Sequence, residues 1–421
     1  MLMFLYQVIS YIVQPFIFLK MMLRSFKFSE YRKRLDERYG FCYGKVVSKG
    51  ILIHSVSIGE TVAAVPLIRL LLRYYPFLPI IVSTITPAAS NLVVSVFGKT
   101  IYHVYLPYDL FFSMRRFLRY LNPKLVIILE TEIWPNMINQ LYKMNIPVFI
   151  VNARLSDNSF IKYKKIYFFI KYILSNITKV FAQSLNDGER FIELGLNRVK
   201  LKIIENMKFD IYISNDLIVS SMLLKKRIGI CRDIWIAGST HKGEEKIILK
   251  TYKNLLKFFP KLLLIIVPRD FNRFNKIKKM IQKMGFNFIL RSSNKLPTSN
   301  VQVLIGDLMN ELVLLYGISD IVFIGGSLVK IGGHNPLEAA IYHLPIIIGP
   351  YIFNFKNICE KLIKANGLIV VTDVKSMTLA IFNLLVNKKL RLYYGNNAAK
   401  VLYENQGVSN ILLKELKQYL I

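Results

Sequence analysis

The stretch GGSLVKIGGHNPLEAA, residues 325–340, decides the fold of this chain. It follows the apolar run Ile321–Ile324, and Asn335 and Pro336 suit the N-cap and the first position of a helix. The pattern predicts a buried strand, a glycine-rich loop and a helix N-terminus, in that order. Such a junction offers backbone N–H groups and a helix dipole to an anion, and Glu338 could accept hydrogen bonds from ribose hydroxyls. A tight turn without a ligand is the alternative.

Apolar strands alternate with helical segments along the rest of the chain, which predicts doubly wound α/β sheets of parallel strands. In the first half the predicted strands are residues 50–54, 79–84, 125–130, 147–152, 179–183 and 201–205. After a segment that we interpret as a connector, they are residues 233–237, 262–267, 301–305, 321–324, 344–348 and 368–371. Two halves of roughly 200 residues each predict a twin Rossmann-like architecture, with the cleft between them as the expected site.

Polar side chains follow several strands of the first half. Glu60, Glu130, Arg154 and Lys208 each lie just past a predicted strand end. Ligands of open parallel sheets bind beyond the carboxyl ends of the strands, so we expect these four side chains to converge.

Glu60 stands at a predicted helix N-terminus directly after a strand. One interpretation is a general base that takes a proton from a hydroxyl nucleophile, and the other is a glutamate that complements the helix dipole. The helix end lowers the pKa of a carboxyl group, whereas burial or a nearby Glu130 raises it. The residues alone leave both interpretations open.

Two other residues of the first half, Glu130 and Lys208, each have a functional and a purely structural interpretation. Glu130 beside Trp134 is typical of a sugar site and also of a capped loop. Lys208 either neutralises a leaving phosphate or is one solvated lysine among many.

In the second half, Arg269 after Pro268 is a candidate clamp for a phosphate. Asn310 and Glu311 either hold a nucleotide or merely cap a helix. No D-x-D motif stands where it would hold a nucleotide-bound metal, so we expect metal-independent chemistry without a cofactor.

Composition narrows the class of protein. Hydrophobic residues make up 53% and charged residues 20% of the 421 residues, which favours large cores over disorder. Cys42, Cys231 and Cys359 match no metal or disulfide pattern, which indicates a reducing compartment. The net charge of +31 favours an acidic membrane, a phosphorylated substrate or nucleic acid as partner. The basic residues are spread out without an RNA-binding signature, which argues against nucleic acid, and part of the charge is compositional drift.

The N-terminal segment, residues 1–19, carries no charged side chain and is nearly long enough to span a bilayer. It lacks the basic start and the cleavage site of a signal peptide. Basic residues follow it, and by the positive-inside rule they keep the body of the protein in the cytoplasm: Lys20, Arg24, Lys27, Arg32, Lys33 and Arg34. We interpret the segment as a membrane anchor, either spanning or lying in the interface; a soluble amphipathic helix is the alternative.

Taken together, nine motifs resemble one family, the 3-deoxy-D-manno-octulosonic acid (Kdo) transferases of lipopolysaccharide and lipid A biosynthesis. They are HSVSIGE (54–60), LPYD (106–109), ETEIWPN (130–136), NARLS (152–156), MKFD (207–210), STHKGEE (239–245), VPR (267–269), GDLMNEL (306–312) and GGSLVKIGGHNPLEAA (325–340). The resemblance covers essentially the whole chain. It implies a GT-B fold and an inverting, metal-independent transfer of Kdo from CMP-Kdo to the lipid A precursor lipid IVA. The enterobacterial members imply two Kdo residues in sequence.

The resemblance also implies residue roles. Glu60 matches the proton acceptor, and Glu130 and Lys208 match transition-state stabilisers. The residues that match the CMP-binding segments are Pro268, Arg269, Met309, Asn310, Glu311, Asn335, Pro336, Leu337 and Glu338.

The expected organisation combines both lines of reasoning. The predicted segments are a membrane anchor at 1–24, an acceptor and catalytic domain at 25–210, a connector at 211–230, a CMP-Kdo-binding domain at 231–400 and a C-terminal helix at 401–421. The expected partners are CMP-Kdo, lipid IVA and the anionic surface of the inner membrane, but no nucleic acid. The body is expected on the cytoplasmic side of that membrane.

Three residues depart from the family pattern: Asp270 replaces a common His, Glu205 a usual Gly and Lys242 an acidic residue. None has a proposed role, but Asp270 beside Arg269 puts donor affinity in question. Two alternatives stay open, namely another GT-B enzyme such as a UDP-sugar transferase or epimerase, and a basic membrane scaffold or nucleic-acid binder.

Overall fold

The computed structural model describes residues 1–27, 29–42, 44, 47–228, 232–293 and 295–420. Cys231 lies outside the described residues. The chain forms two compact units, the first made of residues 1–210 and 406–421 and the second of residues 211–405.

The first unit is built on a parallel sheet that has seven strands within the described residues, in the order β3-β2-β1-β4-β5-β6-β7. The strands are β1 Ile51–His54, β2 Ile80–Thr84, β3 Tyr102–Tyr105, β4 Leu125–Leu129, β5 Val148–Ala153, β6 Lys179–Ala182 and β7 Leu201–Ile203. Its first helices are α1 Leu2–Lys27, α2 Ile58–Tyr74, α3 Pro87–Phe97, α4 Phe111–Leu121, α5 Pro135–Lys143, α6 Asp157–Lys164, α7 Tyr167–Ser175 and α8 Leu185–Glu193. Alternate strand residues face two apolar layers, so that Leu52 belongs to one core and Ile51 and Ile53 to the other.

The second unit repeats this plan, again with seven described parallel strands, in the order β10-β11-β9-β8-β12-β13-β14. The strands are β8 Ile234–Thr240, β9 Leu263–Pro268, β10 Phe288–Leu290, β11 Val303–Ile305, β12 Ile321–Ile324, β13 Ile346–Ile348 and β14 Leu368–Val370. The helices are α9 Asn215–Ile228, α10 Glu244–Leu255, α11 Phe274–Lys283, α12 Leu312–Ile318, α13 Leu337–Ala340, α14 Lys356–Lys364, α15 Val374–Val386 and α16 Lys388–Glu404. The predicted α/β class with two Rossmann-like domains is confirmed.

The last helix, α17 Val408–Lys417, returns to the first unit. Leu412 and Leu416 join the apolar core on the α2 side of the first sheet. The Asp210 carboxylate caps the helix, because it accepts hydrogen bonds from the backbone N–H groups of Gly407 and Ser409 at 2.7 and 2.6 Å. Residues 401–421, which we predicted as one C-terminal helix, are therefore divided between α16 and α17.

The predicted connector at 211–230 contains most of α9. This helix packs within the second unit, where Lys225 forms an ion pair with Asp320 at 3.0 Å. Two of the edge strands, β3 and β10, were missing from our prediction. They are short, and the outer edge of β3 is bonded by side chains, because Arg34 donates to the His103 carbonyl oxygen and Glu37 accepts the Tyr105 N–H, both at 2.8 Å.

The prediction of a helix capped by Asn335 is wrong by one residue. Pro336 is the N-cap, and α13 is a single turn that starts at Leu337. The Asn335 side chain nevertheless accepts the Leu337 N–H at 3.1 Å, because its oxygen reaches the donor two residues further along.

Candidate active site

Both sheets reverse their strand order at one point, where ligands of such sheets bind. In the first sheet this switch point lies between β1 and β4, which are followed by Glu60 and Glu130. In the second it lies between β8 and β12, which are followed by the STHKGEE and glycine-rich motifs. The predicted residues thus form one group in each unit.

Glu60 lies in the first turn of α2 and its side chain folds back over the helix start. Its carboxylate accepts the Ser57 hydroxyl and the Val56 N–H, both at 2.7 Å. Burial raises the pKa of Glu60, and these two hydrogen bonds oppose the rise, while the charge of Glu130 adds to it and that of Lys208 opposes it. The net direction is upward, and the position of Glu60 in the first turn of α2 is compatible with both the general-base and the dipole interpretation.

Glu130 directly follows β4 with a left-handed backbone, at φ 56°. Such strain in a residue with a side chain is typical of functional sites. Lys208 approaches it with 3.8 Å between Nζ and Oε1. Lys208 is placed there because the side chain of Asn152, at the end of β5, accepts the Met207 N–H at 3.0 Å.

The surroundings of Lys208 act on its pKa in opposite directions, and the net effect is a lowering. Burial lowers its pKa, Glu130 raises it, and the charge of Arg154 lowers it further. The group in the first unit therefore combines a lysine of lowered pKa with carboxylates of opposite charge. The predicted convergence of Glu60, Glu130, Arg154 and Lys208 is seen in their mutual electrostatic effects.

Glu132 lies close to Glu60 and Glu130 but was absent from our sequence-based list of site residues. Burial, followed by the charges of Glu60 and Glu130, raises its pKa to about 7. The signal was present in the spacing of the ETEIWPN motif, in which Glu130 and Glu132 lie on either side of Thr131. Burial next to the charges of Glu60 and Glu130 thus favours the protonated form of Glu132.

Three buried polar atoms near these carboxyl groups have no hydrogen-bond partner among the described residues: His54 Nε2, Thr131 Oγ1 and Trp134 Nε1. The rings of His54 and Trp134 lie 6.3 Å apart, edge to face. Buried polar atoms usually find partners, so three unpaired ones close together are an unusual feature of this region.

His54 makes the stability of the protein depend on pH. It is fully buried, and this burial lowers its pKa to about 4, although a hydrogen bond from Nδ1 to the Ser83 carbonyl oxygen opposes the shift. The unfolded chain binds a proton near pH 6.5, so the stability contributed by neutral His54 is complete above that pH and lost as the pH falls through 4. Between pH 6.5 and pH 4, we expect the free energy of unfolding of His54→Gln, measured with urea, to fall by about 3 kcal/mol less than that of the parent protein. Parallel pH curves for the two proteins would contradict the assignment.

The glycine-rich loop of the second unit corrects our expectation of N–H groups available to an anion. The N–H groups of Gly326, Ser327 and Leu328 donate to the Glu244 carboxylate at 2.7, 3.0 and 2.9 Å. The His241 N–H donates to the same carboxylate at 2.8 Å. The anion that this loop binds is thus an internal, fully buried side chain from α10.

Glycine is required in this loop where backbones approach closely. A Cβ on Gly325 would lie 2.3 Å from the Ser239 carbonyl oxygen, and Gly332 has a φ of 103° that side chains rarely adopt. The loop is therefore held from two sides, by the β8 backbone and by Glu244.

The predicted CMP ligands lie in three loops at the carboxyl ends of β9, β11 and β12. Pro268 ends β9 and is buried, whereas Arg269 is exposed. Within the described part of the chain Asp270 forms no ion pair with Arg269; its carboxylate instead accepts hydrogen bonds from the backbone and side-chain nitrogens of Asn272, at 3.0 and 3.1 Å. The departures Lys242 and Glu205 lie in loops after β8 and β7, the first exposed and the second partly buried.

The loop after β11 carries Met309, Asn310 and Glu311. Met309 is exposed and Asn310 has a left-handed backbone at φ 63°. Arg291 holds Glu311 with two contacts, Nε to Oε2 at 3.0 Å and Nη2 to Oε1 at 3.2 Å. Glu311 is the N-cap residue of α12, although its side chain makes no capping hydrogen bond to the helix.

The loop after β12 ends in residues 335–338. Burial raises the pKa of Glu338 to about 7, and Asn335 and Arg269 oppose this shift, which places Arg269 within electrostatic reach of Glu338. His334 and His241 stack with Nε2 atoms 2.8 Å apart, and burial lowers the pKa of His334 to about 4. Leu337 is buried in the core. The structure thus links Arg269 with the Asn335–Glu338 segment.

Two parallel sheets with polar loops at their switch points define a GT-B-type glycosyltransferase fold. The UDP-GlcNAc 2-epimerase from Neisseria meningitidis bound to UDP-GlcNAc shares this fold, with a TM-score of 0.61 and 16% identity over 88% of this chain and 100% of that one. The 3-deoxy-D-manno-octulosonic-acid transferase (kdotransferase) family model matches residues 33–211.

Two relatives extend the match along the chain. The 3-deoxy-D-manno-octulosonic acid transferase of Haemophilus influenzae is 45% identical over 99% of this chain and 98% of its own length. That of Rickettsia felis is 32% identical over 88% of this chain and 79% of its own length. The chain therefore belongs to the 3-deoxy-D-manno-octulosonic acid transferase family.

Proposed function

We propose that this glycosyltransferase moves Kdo from CMP-Kdo to lipid IVA, with inversion at the anomeric carbon and without a metal ion, at the cytoplasmic face of the inner membrane. The observation that carries the proposal is the Glu60 carboxylate, fixed by Ser57 and Val56 with a raised pKa beside Glu130 and Lys208. Family membership supplies the donor sugar.

In the proposed reaction Glu60 removes the proton from a hydroxyl group of the acceptor while the oxygen of that hydroxyl bonds to the anomeric carbon of Kdo. The bond from that carbon to the phosphate oxygen breaks, and CMP leaves with the electron pair. Lys208 and Glu130 stabilise the charges of the transition state, and Glu132 is placed to share the transferred proton. Attack opposite the leaving phosphate gives inversion.

In the second unit, Arg269 pairs with the CMP phosphate, while Glu338 and Glu311 accept hydrogen bonds from the nucleoside. Support comes from the exposure of Arg269 beside the carboxyl group of Glu338 and from the fixed position of Glu311. An acceptor that carries phosphates and acyl chains fits the net charge of +31 and the apolar N-terminal helix.

The testing experiment is transfer of labelled Kdo from enzymatically generated CMP-Kdo to lipid IVA in detergent with EDTA present. Products with one or two added Kdo residues support the donor, the acceptor and metal independence, and they count the additions. Absence of product, with CMP still bound, would overturn the choice of acceptor; transfer from a UDP-sugar would overturn the donor.

Arg269 gives a prediction for donor binding. We expect Arg269→Ala to weaken CMP affinity about 10- to 100-fold, because it removes a charge-assisted contact to the phosphate. The CMP affinity of Arg269→Lys should lie between those of the parent protein and Arg269→Ala, since a lysine keeps the charge without the bidentate geometry. Isothermal titration with CMP measures both, and the exposed Lys389→Ala is the control that should leave affinity unchanged. Equal CMP affinity in Arg269→Ala and the parent would contradict this role.

A further inference from the structure

Helix α1 is fastened to the first unit along most of its length. Near its start the Tyr6 hydroxyl donates to the buried Asp109 carboxylate at 2.9 Å. Further along, Gln14 Nε2 donates to the Tyr39 hydroxyl at 3.2 Å. Near its end the Tyr108 hydroxyl donates to the Met21 sulfur at 3.0 Å. At a rise of 1.5 Å per residue, the stretch from residue 6 to residue 21 covers about 22 Å.

The Asp109 contact is built into the fold. The same carboxylate accepts the backbone N–H groups of Asn136 and Met137 at 2.9 and 3.0 Å, at the start of α5. Gln7 Nε2 donates to the Asn136 side-chain oxygen at 3.2 Å. Helix α1 is therefore held beside the segment that also carries Glu130 and Trp134.

The opposite face of α1 is apolar and uncovered. Its side chains that are more than half exposed are Phe4, Leu5, Ile12, Phe16, Leu19 and Leu23, with Phe26 at its end. The helix is long and apolar enough to cross a membrane by length and composition alone.

A spanning orientation conflicts with the docked face. The hydrocarbon core of a bilayer is about 30 Å thick, so a spanning α1 would carry the loops bonded to it to mid-membrane depth. Those loops have irregular backbone, and the one that carries Tyr39 also has the exposed charged residues Arg32, Lys33 and Asp36, which lipid cannot solvate. A helix that lies in the interface with one face in the acyl region keeps both sets of contacts.

A second element lies beside α1, the corner formed by residues 161–172 at the end of α6 and the start of α7. Phe168, Ile161 and Ile166 are exposed apolar residues of this corner. Phe169 places it next to the helix, because its ring lies 5.5 Å from that of Tyr6. Four exposed lysines surround the apolar residues: Lys162, Lys164, Lys165 and Lys171. Aromatic and apolar side chains within a lysine cluster match the interface of an anionic bilayer.

We propose that α1 lies in the plane of an anionic bilayer surface, and that the corner 161–172 enters the same interface. This inference rests on the proposed function in one respect, namely that the acceptor is a membrane lipid. It specifies that α1 stays on one side of the bilayer, with the Glu130 loop held at the height of the lipid headgroups.

The test measures the depth of tryptophans along α1 in the full-length protein. Leu5→Trp, Ile12→Trp and Leu23→Trp lie on one helix face, since they are 7 and 11 residues apart, and they extend over about 27 Å of helix. The proteins are bound to vesicles of phosphatidylglycerol and phosphatidylcholine that carry bromines at chosen acyl depths. We expect all three to be quenched most by the same shallow bromines, above the background of Trp134 and Trp235 in the parent.

Two results would overturn the proposal. Quenching of Ile12→Trp by deep bromines and of the other two by shallow bromines would show a spanning helix. No quenching above background would show that the face meets something other than lipid, such as a second copy of the chain, which light scattering would detect.

A second pair of variants tests whether the corner 161–172 contributes to membrane binding. We expect Phe168→Asp to weaken binding to the anionic vesicles about tenfold, while the exposed Phe77→Asp, at the amino end of β2, leaves it unchanged. Equal weakening by both would remove the corner from the proposal. Kdo transfer in detergent should be unchanged in Phe168→Asp. If the parent protein itself showed no Kdo transfer, that result would count against the proposed function and not against this orientation of α1.

Discussion

Glu60→Gln is expected to lower the rate of Kdo transfer about 10²- to 10⁴-fold while CMP-Kdo binds as before. The amide has the shape of the carboxyl group and can keep the contacts with Ser57 and Val56, so the fold is preserved. It cannot take a proton from the acceptor hydroxyl. Steady-state transfer to lipid IVA and titration with CMP separate the two effects.

A companion variant tests the same base through its pKa. The Ser57 hydroxyl lowers the pKa of Glu60, so Ser57→Ala should move the acidic limb of the pH–rate profile to higher pH. The sign follows because the base is active only when ionised, and a higher pKa keeps it protonated to a higher pH. Near-normal turnover of Glu60→Gln, or an acidic limb that does not move in Ser57→Ala, would show that another group takes the proton.

The second large effect is expected at Glu244. Glu244→Ala removes the acceptor of four backbone N–H groups, three of them in the glycine-rich loop. Two of these hydrogen bonds are buried, and each buried donor left without a partner costs about 1–3 kcal/mol, so we expect a loss of about 2–6 kcal/mol in the free energy of unfolding. We also expect CMP affinity to fall at least about tenfold, since the loop loses the group that fixes its shape.

Matched variants separate a structural loss from a general effect of charge. Glu244→Gln keeps one acceptor oxygen and should lie between the parent and the alanine variant in both measurements. Glu404→Ala removes an exposed glutamate whose ion pair with Lys400 spans 3.8 Å, and it should change neither value measurably. A Glu244→Ala protein with parental CMP affinity would show that the loop keeps its shape without the carboxylate.

The sequence predicted the fold class and the family well because their signals are local and repeated. Apolar strand cores such as Ile321–Ile324 and polar residues just past strand ends can be recognised one segment at a time. The edge strand Tyr102–Tyr105 was not predicted because it is short and only its last two residues are buried, and because its outer edge is bonded by the polar side chains of Arg34 and Glu37, a contact that the local pattern does not show.

The site was less predictable, since its decisive contacts join residues far apart in the chain. The glycine-rich motif was expected to bind an external anion, but the partner of its N–H groups is Glu244, more than eighty residues earlier. The raised pKa of Glu132 likewise depends on burial and on Glu60, neither of which is visible in ETEIWPN. Local patterns identify which residues lie at strand ends, whereas tertiary contacts decide which donors are already occupied.

The return of α17 to the first unit affects the order in which the protein folds during synthesis. Leu412 and Leu416 fill part of the core beside α2, and the Asp210 carboxylate accepts its hydrogen bonds from the N–H groups of Gly407 and Ser409. The ribosome makes all of residues 211–405 before it supplies this helix. Although domains usually fold from the N-terminus onward, here the later-encoded unit is the first that can close its core. The earlier unit remains open along its α2 side until translation reaches α17.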